Sequence, residues 1–293
     1  NAELLPNGNL DSAFGAALSM ADGMLAIGAP LGKGAVGLFA KSGGQWVNQT
    51  WLQAASDGAE FGFSLHLHHD TLLIGAPAQD GGGAVWIYHH NGGTQWNLLS
   101  VLQAPDANTG RRFGHSVHRM GSQIFVGDPV SNQVYCFSQS ANSWGYLQSL
   151  QPMTAQDGDY FGASLSGENG SLHIGAEGVA HEAGRVFVFE QIAGQWMQNA
   201  LFWAVDSSMN SRFGHALVRQ GNEMLIGAPM QGPTVYRASS VSRGAAYFVH
   251  ATSGAIVPLV VRGEGEMEAA YNPAVNLLLR DAKLGDDLLI YPN

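Results

Sequence analysis

Short apolar runs separated by turn residues recur along the whole chain. Met24-Leu25-Ala26-Ile27 and Leu72-Leu73-Ile74 are apolar at successive positions. Unbroken runs of that length, bounded by turns, predict strands buried on both faces. Each is preceded by an alternating stretch, such as Phe113-Gly114-His115-Ser116-Val117-His118, that predicts a half-buried strand. Turns such as Ala21-Asp22-Gly23 and His69-Asp70 separate the two. A third apolar run follows (Val36–Phe39, Val85–Tyr88, Val134–Phe137, Val186–Phe189), then a fourth that starts at a Trp and ends as in Leu102-Gln103-Ala104. The pattern predicts units of four short antiparallel strands.

The units repeat at fixed spacing. Phe-Gly occurs at Phe14, Phe61, Phe113, Phe161 and Phe213, with steps of 47, 52, 48 and 52 residues. A second glycine follows each Phe by 14 residues, at Gly28, Gly75, Gly127, Gly175 and Gly227. It opens Gly-Ala-Pro three times, Gly-Asp-Pro at Asp128 and Gly-Ala-Glu at Glu177. Trp46, Trp96, Trp144 and Trp196 mark the fourth strands and read as packing residues. One four-stranded unit cannot bury both faces alone, so units of this kind pack side by side around an axis. The expected fold is all-β: one β-propeller domain over 1–293, with a degenerate last repeat near 277. Dividing 293 residues by a repeat of about 50 gives six blades, or seven if the ends are more compact. N- and C-terminal strands (Glu3–Pro6 and Leu277–Asn293) are expected to close the last blade, which would remove free edges. Glycines allow neighbouring backbones to approach, Pro30, Pro77, Pro129 and Pro229 stop the second strand, and Asp57, Asp106, Asp157 and Asp206 are expected to bond their own turns.

Composition narrows the partners. The net charge is −10, with 13 Lys and Arg against 23 Asp and Glu, so the basic footprint of nucleic-acid binding is missing. A single cysteine, Cys136, excludes an intrachain disulfide and reads as a core residue. Apolar runs are far shorter than the ~20 residues of a membrane-spanning helix, so no membrane insertion is expected. The opening at Asn1, without a signal-like leader, fits a processed chain or an excised piece. His66, His68 and His69 suggest a metal cluster, but no third ligand is evident, and a solvated hairpin is the expectation.

Phe-Gly and Gly-Ala-Pro at this spacing resemble the FG-GAP repeat of the integrin α-subunit propeller and its bacterial surface relatives, over nearly the whole chain. Ser42-Gly-Gly-Gln-Trp46 and Ala54-Ala-Ser-Asp-Gly58 are similar to bacterial members. The resemblance implies a secreted, periplasmic or cell-surface protein with an adhesive role. Many such repeats carry an Asp-x-Asp-x-Asp-Gly calcium loop. The hairpins here, for example Met20–Gly23 and Gly167–Gly170, lack the oxygen ligands calcium takes. No integrin-type calcium site, and no other cofactor, is expected.

Connections from fourth to first strand and from second to third share one rim, where function concentrates on a rigid scaffold. Before each Phe stand Ala13, Glu60, Arg112, Tyr160 and Arg212; two residues after it stand Ala16, Phe63, His115, Ala163 and His215. Arg112 with His115 and Arg212 with His215 therefore repeat one arrangement, joined on the rim by Asp128 and Glu177. Arg offers a planar fork for carboxylates, sulfates or sugar hydroxyls, and His can bond a hydroxyl or move a proton. The longest insertion, Met230–Arg243, adds Tyr236 and Arg237, residue types that anchor interfaces. The sequence thus reads first as a binding module for a glycan or protein ligand. The alternative is an enzyme (lyase, hydrolase or isomerase) with its Arg, His and Asp site at the channel mouth. A symmetric binder would repeat its polar groups in most units; an enzyme would concentrate them in one.

Overall fold

Unbroken apolar runs such as Leu72–Ile74 become strands covered on both faces, and four of the five second strands stop before a proline, which has no N–H for the ladder. The computed structural model describes residues 13–54, 57–92, 95–106, 110–141, 143–204, 209–230, 244–250, 259–262 and 267–269. Among the described residues there are five antiparallel sheets. Three lie in one compact unit, Asn1–Gln151, and two in another, Pro152–Asn293.

In the first unit, sheet one is β1 (Ala17–Ala21), β2 (Met24–Ala29), β3 (Ala35–Ser42) and β4 (Gln45–Gln53). Sheet two is β5 (Ser64–His68), β6 (Thr71–Ala76), β7 (Ala84–His90) and β8 (Trp96–Leu102). Sheet three is β9 (Ser116–Met120), β10 (Gln123–Asp128), β11 (Gln133–Ser140) and β12 (Ser143–Leu150). The second unit holds sheet four, β13 (Phe161–Glu168), β14 (Ser171–Ala176), β15 (Arg185–Ile192) and β16 (Gln195–Phe202). Sheet five is β17 (Ala216–Gln220), β18 (Glu223–Ala228), β19 (Ala245–His250), β20 (Leu259–Arg262) and β21 (Met267–Ala269).

The expectation of six or seven blades is corrected to five among the described residues. In sheet five, β20 pairs with β19 in the fourth-strand place, and β21 adds a fifth strand to the same sheet. β21, which division by repeat length assigns to another blade, thus belongs to sheet five. Both strands of the expected closing blade, Glu3–Pro6 and Leu277–Asn293, lie outside the described residues, as do Tyr236, Arg237 and Asp206.

Phe-Gly is a turn rather than the start of a strand. Its glycine is left-handed in all five units (φ 90 to 96°), and the residue before Phe accepts the backbone N–H three positions on, as in His215 N to Arg212 O at 3.1 Å. The strand therefore begins about three residues later in four of the five sheets. The second glycine serves the neighbouring sheet. A Cβ on Gly75 would lie 2.0 Å from the Gly114 carbonyl oxygen, and one on Gly175 would lie 2.0 Å from that of Gly214. Ser64 and Ser164 donate their hydroxyls to the same two oxygens, at 2.8 and 2.6 Å.

The core is built between successive sheets. Phe61, Phe113 and Phe161 are fully buried and Phe213 nearly so. Phe113 packs with Val85, Ile87, Tyr135 and Phe137, and Phe213 packs with Ile226 and Tyr247. Trp96 and Trp196 are buried, whereas Trp46 and Trp144 are half-buried. Cys136 is a buried core residue, its thiol pushed by burial to about 12. His66 is packed rather than solvated: its ring meets His118 of the next sheet at 4.5 Å between centroids. Burial, then His118, His68 and Arg119, hold its pKa well below the ordinary range.

His173, 3% exposed in β14, is a second imidazole kept neutral; burial, then Arg219, lowers its pKa from 6.5 to about 4. Between those values the unfolded chain binds a proton that the folded chain does not, so stability falls as pH drops from about 6.5 toward 4. A lower denaturation midpoint at pH 5 than at pH 7.5 is expected, and the difference should shrink in His173→Phe. An equal shift in the variant would assign the acid loss to other groups.

Candidate active site

Polar residues around the Phe-Gly turns form two groups, one in each unit. In the first unit, Arg112 donates from Nη2 to Glu60 Oε2 at 2.6 Å, and its guanidinium lies 5.1 Å from the Phe63 ring centroid. The His115 ring also packs on Phe63, at 4.8 Å between centroids. Asp128 is fully buried; its Oδ1 accepts the Arg112 backbone N–H at 3.0 Å, and its Oδ2 lies 3.6 Å from Arg111 Nη1. Arg111 also reaches Asp106 at 2.7 Å and the Tyr135 hydroxyl, which itself donates to Asp106 at 3.0 Å. Asp106 therefore holds a side-chain network in addition to its own backbone. Burial, then the bond to Asp106, pushes the Tyr135 phenol above its usual range. Each cation here has a carboxylate partner, and the network fixes the turn into β9.

The second unit differs. Glu177 follows β14, where the four other repeats carry proline, and its Oε2 lies 2.6 Å from His215 Nδ1. That bond raises the His215 pKa above 6.5, against burial and the nearby Arg212. The His215 side chain is 51% exposed. Arg212 bonds Glu182 Oε2 at 2.9 Å from both Nε and Nη2. Tyr160, Glu177, Gly178, Glu182 and Arg212 line a cleft of about 230 Å³.

Backbone geometry sets these side chains. Tyr160 and Arg212 are left-handed, at φ 54° and 57°. The connection from β14 to β15 passes through three successive left-handed residues, Ala180, His181 and Glu182, at φ 56°, 60° and 60°. Their carbonyls are taken by the approach to β17: Asn210 N–H bonds His181 O at 3.0 Å, and Arg212 N–H bonds Glu182 O at 2.7 Å.

Of the residues named from sequence, the structure brings Arg112 together with Asp128, and it brings Glu177 together with His215. It adds Glu60, Arg111, Tyr135 and Glu182 as partners. Glu60 is legible as the counterpart of Arg112 one repeat earlier; Glu182 lies in a second-to-third connection, on the rim that carries the other candidate groups. Among the described residues no group of three or more His, Cys, Asp or Glu is placed to hold a metal ion. No helix among them is long and apolar enough to cross a membrane.

No protein-family model matches the chain, and no curated protein matches it. Solved structures do. A candidate 6-phosphogluconolactonase of Bacteroides uniformis is similar at TM-score 0.61 and 11% identity, over 96% of this chain and 77% of that one. The periplasmic gluconolactonase of Pseudomonas aeruginosa is similar at 0.59 and 14%, over 88% and 76%. A candidate 6-phosphogluconolactonase of Bacteroides fragilis is similar at 0.57 and 12%, over 91% and 74%. At such identities the likeness bears on fold alone, and it supports an all-β propeller of four-stranded blades, while the integrin-like FG-GAP assignment finds no support in it.

Proposed function

We propose that the chain is an acid–base enzyme that opens a small polar lactone in the cleft of its second unit. The observation that carries this reading is the 2.6 Å Glu177–His215 pair, whose carboxylate lines the cleft together with Arg212. A carboxylate on Nδ1 fixes the tautomer that leaves Nε2 as the base. His215 Nε2 takes a proton from water, whose oxygen bonds the lactone carbonyl carbon. The carbonyl oxygen becomes an oxyanion on the side of Arg212. The ring carbon–oxygen bond then breaks, and the leaving oxygen receives the proton from His215, giving a hydroxy acid. No step calls on a cofactor.

Two further observations support an enzyme over an adhesive surface. The polar groups are asymmetric between repeats, as Ala13, Glu60, Arg112, Tyr160 and Arg212 show at one equivalent position. Structures of the same fold carry lactonase names, and one is named periplasmic, which suits the location expected from sequence. The test is base consumption by the purified chain on gluconolactone. A rate no greater than spontaneous opening would remove the reading and return the rim to binding.

The pH dependence follows from the pair. His215 must be neutral to act as base, and Glu177 holds its pKa above 6.5, so kcat/KM should rise with pH through that raised value. Glu177→Gln removes the hydrogen-bonded charge and should move the rising limb to lower pH as it lowers the plateau. An unmoved limb would assign the titration to another group.

A further inference from the structure

Glu182 occupies a backbone position that no repeat chemistry explains. The connection from β6 to β7 in the first unit is seven residues, 77–83, and the connection from β14 to β15 is eight, 177–184. Their hydrogen bonds align them. Gly81 O accepts the N–H of Gly110 as His181 O accepts that of Asn210, and Gly82 O accepts that of Phe113 as Ala183 O accepts that of Phe213. Glu182 is therefore the added residue. It is the last of three successive left-handed residues, a conformation that L-residues resist and that glycine takes freely. Its carboxylate, half-exposed, engages Arg212 at 2.9 Å on the cleft wall. An exposed pair of this kind does little for stability. Strain held at a cleft, for a side-chain pair that returns little stability, points to a functional residue.

Charge says what the residue does. Among the described residues lining the cleft, the one guanidinium, Arg212, faces two carboxylates, Glu177 and Glu182. A phosphate dianion placed there would meet two like charges and a cation already neutralised. Ligand hydroxyls, by contrast, can donate to either carboxylate and accept from the guanidinium.

We propose that Glu182 is a specificity-determining residue that neutralises Arg212 and reserves the cleft for uncharged polyhydroxyl ligands over their phosphorylated counterparts. This rests on the reading of the cleft as a ligand site. It predicts that wild-type protein shows no calorimetric binding of inorganic phosphate at about millimolar concentration. Glu182→Gln, of the same shape, frees Arg212 and should bind inorganic phosphate at least about tenfold more tightly than wild type. Glu182→Gly should do the same while its melting temperature holds or rises by about 2–4 °C, because the strain is relieved. Phosphate affinity equal in wild type and both variants, or a lowered melting temperature in Glu182→Gly, would overturn the proposal and leave Glu182 a structural partner of Arg212. Phosphate binding requires no turnover, so the two ideas fail separately. Gluconolactone opening with unchanged phosphate binding removes only the role of Glu182. Gained phosphate binding without lactone opening removes only the reaction.

Discussion

His215→Asn is expected to lower kcat/KM for lactone opening by at least about 100-fold, the usual contribution of a positioned acid–base group. Asparagine can still donate a hydrogen bond toward Glu177, so the turn after Arg212 should survive. The side chain is half-exposed and packs no core, and the melting temperature should move by no more than about 2 °C. Initial rates with gluconolactone, together with a melt of the same sample, separate chemistry from folding. Retained activity in a folded variant would exclude His215 as the base, whatever Glu177 does. The pair should also be non-additive: a double variant with Glu177→Gln should be little worse than His215→Asn alone, because the carboxylate acts through the ring.

Gly75→Ala should destabilise the first unit by about 3 kcal/mol, the upper end of overpacking costs. The backbone there is not left-handed, so alanine is conformationally acceptable and the whole effect is steric. The new methyl would stand 2.0 Å from the Gly114 carbonyl oxygen and 2.1 Å from Ser64 Oγ. Sheet three would have to move away from sheet two, breaking the 2.8 Å bond from Ser64 to that carbonyl and loosening the packing around Phe113. At about 2–4 °C per kcal/mol, the midpoint should fall by roughly 6–12 °C. Gly145→Ala is the control: it lies in β12, is not left-handed, and has nothing within 4 Å of the added carbon. Equal melting temperatures for the two variants would mean that close approach of the sheets does not require the second glycine.

Much of the architecture was legible because it is local or repeated. Apolar runs of three or four residues became four of the five second strands, and these end at the residue before Pro30, Pro77, Pro129 or Pro229, while β14 ends before Glu177. The 14-residue step from Phe to glycine is the distance from one sheet's turn to the point where the next sheet's turn presses on it. The five sheets found among the described residues were not legible as a number, because division by repeat length cannot tell that β21 extends sheet five rather than beginning a new one. His66 was misread for a similar reason: its partner, His118, is 52 residues away.

The sequence by itself determined which residues carry polar groups to the Phe-Gly rim. Strand direction and turn spacing place Arg112, Asp128, Glu177, Arg212 and His215 there in any sheet order. Only the tertiary structure decided what each of them meets. Arg112 and Asp128 end in paired networks that hold a turn, because Glu60 and Arg111 reach them first. Glu177 and His215, 38 residues apart, meet because the end of β14 and the turn before β17 are brought side by side when two sheets pack glycine to glycine. A pairwise contact of that kind depends on packing across sheets, and neither the period of the repeat nor the identity of either residue encodes it.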